Sequence, residues 1–179
     1  MNAYQEFKII GSRPIRPDGL DKVTGRARYG ADLNMQGQLY GYVVRSPHAH
    51  AFIKSIDCSK ALAMEGVLAV MTGADLAEPG NQMLGSGEGA MALKDVVPMV
   101  MSQGKVLFHS QAVAAVAATS PELAAEAAQA VEVVYDVLPA VTDLHKALAA
   151  DAPILHDDRF PDGYPKEPTN LATHISLAV

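Results

Sequence analysis

His48 and His50 are the residues whose type and spacing most invite chemistry. Two apart on an extended segment, their imidazoles face the same side and supply half of a zinc or copper ligand set. No third ligand is local, and His109, His145, His156 and His174 stand in unrelated contexts. The pattern therefore predicts imidazole hydrogen bonds that fix the backbone of a turn, not a metal centre. Ser46, Ser110 and Ser120 lack the Gly-x-Ser-x-Gly elbow of a serine nucleophile. Asp157 and Asp158 are adjacent in a loop, the usual setting of solvated charge. Gly85, Gly87 and Gly89 have neither the spacing nor the flanking strand and helix of a dinucleotide site. Cys58 stands between a strand end and a helix start, and reads either as a small half-buried side chain or as a thiolate lowered by the helix N-terminus. No catalytic, cofactor-binding or metal residue is read from these patterns.

The elements around these residues are legible in part. Arg13-Pro14 and Arg16-Pro17 favour an extended N-terminal arm, because proline drives the preceding residue out of the helical region. Tyr40, Tyr42 and Val44 alternate with Gly41, Val43 and Arg45, the period of a strand. Phe52, Ile53 and Ile56 continue extended beyond the turn at Pro47, which predicts an antiparallel pair. Ser59 is the expected N-cap of a short helix over 60–65, with Gly66 supplying the positive φ that ends it. Residues 67–71 then read as a short, covered apolar strand. A second strand-helix-strand unit begins at Gln111. Its strand runs through Ala118, Ser120 and Pro121 open a helix over 122–130, and residues 131–137 form the next strand. Leu138-Pro139 ends that strand, and Thr142 is the expected cap of a last helix over 143–149.

Alanine fills nearly every side of the second helix, which suits close approach to a sheet and leaves a dimerisation helix as the alternative. Residues 78–93, EPGNQMLGSGEGAMAL, sustain neither hydrophobic period. They read as a surface loop, or as an adaptable one that orders against a neighbouring domain or subunit. The division expected is an extended arm over 1–20, an α+β domain over 21–150 and a linker over 151–179.

Composition excludes several function classes. A chain of 179 residues with 49% hydrophobic and 19% charged residues is neither disordered nor a polybasic binder. Its net charge of -6 argues against nucleic acid and anionic membrane as partners. A single cysteine rules out an intrachain disulfide and a cysteine-built iron-sulfur site within one chain. The N-terminus does not read as a secretory leader, and no run approaches the ~20 apolar residues of a membrane span, so the cytoplasm is the expected compartment.

The stretch 45–70, RSPHAHAFIKSIDCSKALAMEGVLAV, resembles a signature of the large subunit of molybdenum hydroxylases, the family of xanthine dehydrogenase, aldehyde oxidase and carbon monoxide dehydrogenase. Residues 21–32, DKVTGRARYGAD, are similar to the family's entry motif. Residues 106–118, VLFHSQAVAAVAA, and 124–143 are similar to its central strand and to the helix and strand that follow. The family pattern has Gly before and Pro after the Gln of the central motif, where this chain has Ser110 and Ala112 around Gln111. That departure bears on the shape of the turn.

The resemblance implies an α/β hammerhead of α+β class, with a mixed sheet and short helices. It implies a structural part of a molybdopterin-dependent oxidoreductase that hydroxylates an aldehyde or N-heterocycle, with no catalysis by the isolated chain. The segment Asn170-x-x-x-His174 is similar to the lead into the first molybdenum-binding domain. The resemblance places the pterin site and the catalytic Glu beyond this sequence, so no cofactor is expected in the chain itself. The parent complex is expected to hold molybdopterin and iron-sulfur clusters, and in many members FAD. Expected partners are a molybdenum-binding catalytic domain or chain and the iron-sulfur and flavin subunits. Ser46, His48, His50, Gln111 and Asn170 are the candidate inter-domain contacts. An independent homo-oligomeric binding module derived from the domain is the alternative.

Overall fold

The computed structural model describes residues 8–76, 82–86, 89–157, 168–171 and 176–177. The chain divides into two units, Met1–Gln38 and Leu39–Val179. In the first, helix α1 (Gly19–Val23) is a single turn, closed where the Thr24 hydroxyl and N–H both donate to the Leu20 carbonyl. The Asp21 carbonyl accepts the N–H groups of Arg26 and Ala27, and Asp18 pairs with Arg16 and Lys22. No described residue of this unit is buried. Residues 1–7 of the expected arm lie outside the described residues.

The second unit contains strands β1 (Tyr40–Arg45), β2 (Ala51–Asp57), β3 (Val67–Thr72), β4 (Met83–Ser86), β5 (Gly89–Ala92), β6 (Lys105–Val106), β7 (Ala112–Ala118) and β8 (Glu132–Val137). Its helices are α2 (Ser59–Leu62), α3 (Leu93–Val100) and α4 (Pro121–Gln129). The strands form three small sheets, ordered β1-β7-β3, β6-β2-β8 and β4-β5. Among the described residues every ladder is antiparallel, so the mixing in this α+β fold is of helices with strands and not of strand directions.

The expected pairing of the first two strands does not form. β1 pairs with β7, from Tyr40 opposite Ala118 to Arg45 opposite Ala112, while β2 pairs with β6 and β8. The Pro47 turn carries the chain from one sheet to the other instead of closing a hairpin. Both strand-helix-strand units cross in the same way: β2-α2-β3 leaves the second sheet for the first, and β7-α4-β8 returns.

The core lies where α4 covers the first sheet. Ala61, Ala114, Val116, Ala127, Ala128 and Val131 form one buried cluster, with Val44, Ile56, Met64, Val70 and Val133 packed around it. Small side chains let helix and sheet approach closely, which is how the alanines of α4 are used. Ser120 caps α4 as its sequence predicts: its Oγ accepts the Leu123 N–H at 3.1 Å, and Pro121 opens the first turn. β3 is less covered than expected, with Leu68 and Met71 exposed.

Two caps differ from the sequence reading. Asp57, not Ser59, accepts at the start of α2, from the Ser59 N–H at 2.9 Å, and α2 is shorter than predicted. Asp143, not Thr142, accepts from the N–H groups of His145 and Lys146, and only a 3-10 turn, Lys146–Leu148, follows. A carboxylate accepts more strongly than a hydroxyl, so in both places the neighbouring Asp prevails. Gly66 has the expected positive φ of 89°, and a Cβ there would meet Leu123 and Thr119. Within the segment read as a loop, β4 and β5 pair as a hairpin that leads directly into α3. Residues 78–81 and 87–88 of that segment lie outside the described residues.

Candidate functional site

Four of the five candidate contact residues meet at one end of the sheets, where β1 leads into the Pro47 turn and β7 begins. Ser46 is buried, and its Oγ accepts the His48 N–H at 3.0 Å and donates to the His48 carbonyl at 3.1 Å. Its backbone N–H donates to the Gln111 carbonyl, and its carbonyl accepts from the Ser110 N–H. The two turns are therefore stitched together by main chain, and the Arg45 guanidinium adds a bond to the Ser110 carbonyl at 2.9 Å.

Gln111 is the largest fully buried side chain among the described residues. Its Oε1 accepts the Leu107 N–H at 2.7 Å and its Nε2 donates to the Pro98 carbonyl at 2.9 Å. One amide thus holds the end of α3, the segment after β6 and the start of β7. The residue before it, Ser110, has φ of 67°, in the left-handed region that glycine occupies at low cost. The departure from glycine therefore leaves the local backbone left-handed and strains the serine. The Ser110 Oγ lies 2.9 Å from Nδ1 of His109.

The two histidines of the turn play different parts. His48 is half-buried and meets the Tyr135 ring edge-on, with centroids 5.0 Å apart at 74°. Burial pushes the Tyr135 hydroxyl up from its ordinary pKa. His50 is 3% exposed, and its Nδ1 lies 2.7 Å from the Pro139 carbonyl. A carbonyl can only accept, so Nδ1 carries a proton. The other nitrogen, Nε2, is buried without a hydrogen-bond partner.

Asn170 works elsewhere. Its Oδ1 accepts the Leu155 N–H, and its Nδ2 donates to the carbonyls of Ala147 and Pro153, all near 3.0 Å. It therefore ties the chain after β8 to itself. Lys105, which sequence reasoning passed over, holds the same segment: its ammonium reaches the Ile154 carbonyl at 3.2 Å and Asp157 at 2.8 Å, beside the Phe52 ring. An isolated lysine carries no local signal of such a role. Asp157 is thus half of an ion pair, while Asp158 and His174 lie outside the described residues.

Among the described residues no three His, Cys, Asp or Glu side chains are grouped to hold a metal. Burial, then the nearby Asp57 and Asp75 carboxylates, push the Cys58 thiol up, which overturns the reading of a lowered thiolate. A cleft of about 240 Å³ lined by Asp95, Met99, Lys105, Leu107, Leu155 and His156 is smaller than the ~300–1,000 Å³ of typical ligand sites. Along the outer edge of β1, a larger groove of about 480 Å³ has Arg45 as its only charged lining residue. No helix is long and apolar enough to cross a membrane among the described residues.

Comparison with known proteins agrees with these features. The family model described as aldehyde oxidase and xanthine dehydrogenase, a/b hammerhead domain, matches residues 24–139. The chain is 41% identical over 154 residues to the carbon monoxide dehydrogenase large chain of Afipia carboxidovorans, covering 86% of this chain and 18% of that protein. It is 35% identical to the nicotinate dehydrogenase large molybdopterin subunit of Eubacterium barkeri, covering 86% and 34%. A crystal structure of the Cu,Mo-CO dehydrogenase in its carbon monoxide reduced state superposes with a TM-score of 0.70 at 41% identity, covering 83% of this chain and 18% of that one. The chain spans about a fifth to a third of the length of these relatives. With its antiparallel sheets, crossing helices and buried central Gln, this chain belongs to the aldehyde oxidase and xanthine dehydrogenase a/b hammerhead domain family.

Proposed function

We propose that this chain is the structural hammerhead portion of the large subunit of a molybdopterin-dependent hydroxylase acting on an aldehyde or N-heterocycle, inactive by itself. One observation carries the reading: the aldehyde oxidase and xanthine dehydrogenase a/b hammerhead model matches residues 24–139, in a chain that spans 18% of the carbon monoxide dehydrogenase large chain and 34% of the nicotinate dehydrogenase large molybdopterin subunit. The parent complex would hold molybdopterin, iron-sulfur clusters and, in many members, FAD. The described residues of this chain do not fit the pterin group. They offer no metal-ligand cluster, and the buried polar groups of Ser46 and Gln111 are spent on the backbone.

In this reading residues 21–150 are the hammerhead, and residues 151–179 lead toward the catalytic region. Ser46, His50 and Gln111 shape two joined turns from within, and half-buried His48 and Asn170 lie where a neighbouring domain meets them. The mild acidity and lone cysteine support the cytoplasm as its compartment.

The test is purification of the native protein from its source cells, with mass spectrometry of its partners and molybdenum and iron analysis. Recovery with a molybdenum-containing polypeptide supports the proposal. Recovery alone and metal-free as a symmetric homo-oligomer overturns it in favour of an independent binding module.

A further inference from the structure

Residues 150–157 belong to no helix or strand, so no ladder fixes their path. Two side chains grip them instead. Lys105 comes from the second sheet, where it stands opposite Phe52 in the β6-β2 ladder and its carbonyl accepts from the buried Ser102 Oγ at 2.7 Å. Its backbone is thus held, and its side chain is only 16% exposed. The ammonium donates to the Ile154 carbonyl at 3.2 Å and to Asp157 at 2.8 Å, with the Phe52 ring 5.4 Å away.

Asn170 closes on the same stretch from further along the chain. Its half-buried amide accepts the Leu155 N–H at 3.0 Å and donates to the carbonyls of Ala147 and Pro153. The Ile154 carbonyl and the Leu155 N–H belong to one planar peptide group, which moves as a unit. Lys105 and Asn170 therefore hold that group by its two ends. Asp157 is well exposed, so salt screens the Lys105 end, whereas the neutral amide of Asn170 is indifferent to it.

We infer that Lys105 and Asn170 form a two-ended clasp on the Ile154–Leu155 peptide group, locked by charge at Lys105, which sets the path of residues 147–157 against the second sheet. The inference deepens the proposed function, on which its consequence rests. In that reading this stretch leads toward the catalytic region, so the clasp sets where the chain departs from the hammerhead, and Lys105 and Asn170 are positioning residues.

The Leu155 amide hydrogen, followed by NMR hydrogen exchange in the full chain, reads the clasp at the end that Lys105 does not touch. Three forms are compared at low and high salt: unaltered, Lys105→Met, which keeps an unbranched stem beside Phe52 without the charge, and Lys105→Arg, which keeps the charge. The expected result is Leu155 exchange about tenfold faster in Lys105→Met, largely restored in Lys105→Arg, and quickened by salt only where the charge is present. The Val116 amide, in a strand paired on both sides, is expected to keep its rate in all three. Unchanged Leu155 exchange in Lys105→Met overturns the clasp and leaves the proposed function standing. Equal acceleration at Leu155 and Val116 also overturns it, since Lys105 then acts on the whole fold. No restoration by Lys105→Arg, or equal salt effects with and without the charge, overturns the charge lock. Native protein recovered without a molybdenum-containing polypeptide overturns the proposed function and the departure toward a catalytic region, while the exchange rates still decide the clasp.

Discussion

At the scale of the residue, Ser110 shows a chain accepting strain to keep a turn. Its φ of 67° costs an L-residue about 1–2 kcal/mol, part of which glycine would return through its freer unfolded state. Ser110→Gly is therefore expected to raise the unfolding free energy by about 0.5 kcal/mol in urea denaturation. A loss of stability would mean that the His109–Ser110 contact outweighs the strain. The positive φ itself was not legible, because serine has no preference for that region. The resemblance to a motif with glycine there was the available signal. His50 was legible as a backbone-fixing imidazole, but its acceptor, the Pro139 carbonyl, is 89 residues away and invisible to local pattern.

At the scale of the element, Gln111 joins α3, β6 and β7 through one side chain. Gln111→Leu keeps similar volume but leaves the Leu107 N–H and the Pro98 carbonyl buried without partners, at about 1–3 kcal/mol each. A total loss of about 2–5 kcal/mol is expected in equilibrium unfolding. A neutral result would place water in the amide's position. Elements with local causes were readable: β1 from its alternation, α4 from Ser120 and Pro121, and the left-handed turn into β3 from Gly66. Those that depend on distant partners were not. β1 and β2 look like a hairpin in sequence because only residues 112–118 and 132–137 decide where each of them pairs. α3 was missed because Pro98 lies inside it and reads as a helix break, its ring removing an N–H that would otherwise donate to the carbonyl four residues earlier. The β4-β5 hairpin was missed because its glycines and methionines have no period.

At the scale of the whole molecule, carboxylate caps contribute to the response to acid, beside the Asp18 carboxyl that Arg16 and Lys22 hold below its ordinary range. The Ser59 hydrogen bonds hold the Asp57 carboxyl below its ordinary range, and those of Thr72 do the same for Asp75. Folded values lowered in this way stabilise the fold above the unfolded carboxylate value of about 3.9, and that stability is lost as pH falls through the lower folded values. The expected outcome is a melting temperature that drops below about pH 4, and drops less in an Asp57→Asn, Asp75→Asn variant, whose amides still accept but do not titrate. Parallel curves for the two proteins would assign acid unfolding to other groups.

The crossing of the chain between its two main sheets also has a consequence on the ribosome. β1 and β3 both pair with β7, so neither gains its ladder until residues 112–118 have been made. At ~5–20 residues per second, β1 waits roughly 4–15 s after its own synthesis with both edges open. Folding of the first sheet is thus timed by the arrival of its central strand, and a nascent chain paused before Ala112 exposes two apolar strands to chaperones and to neighbouring nascent copies.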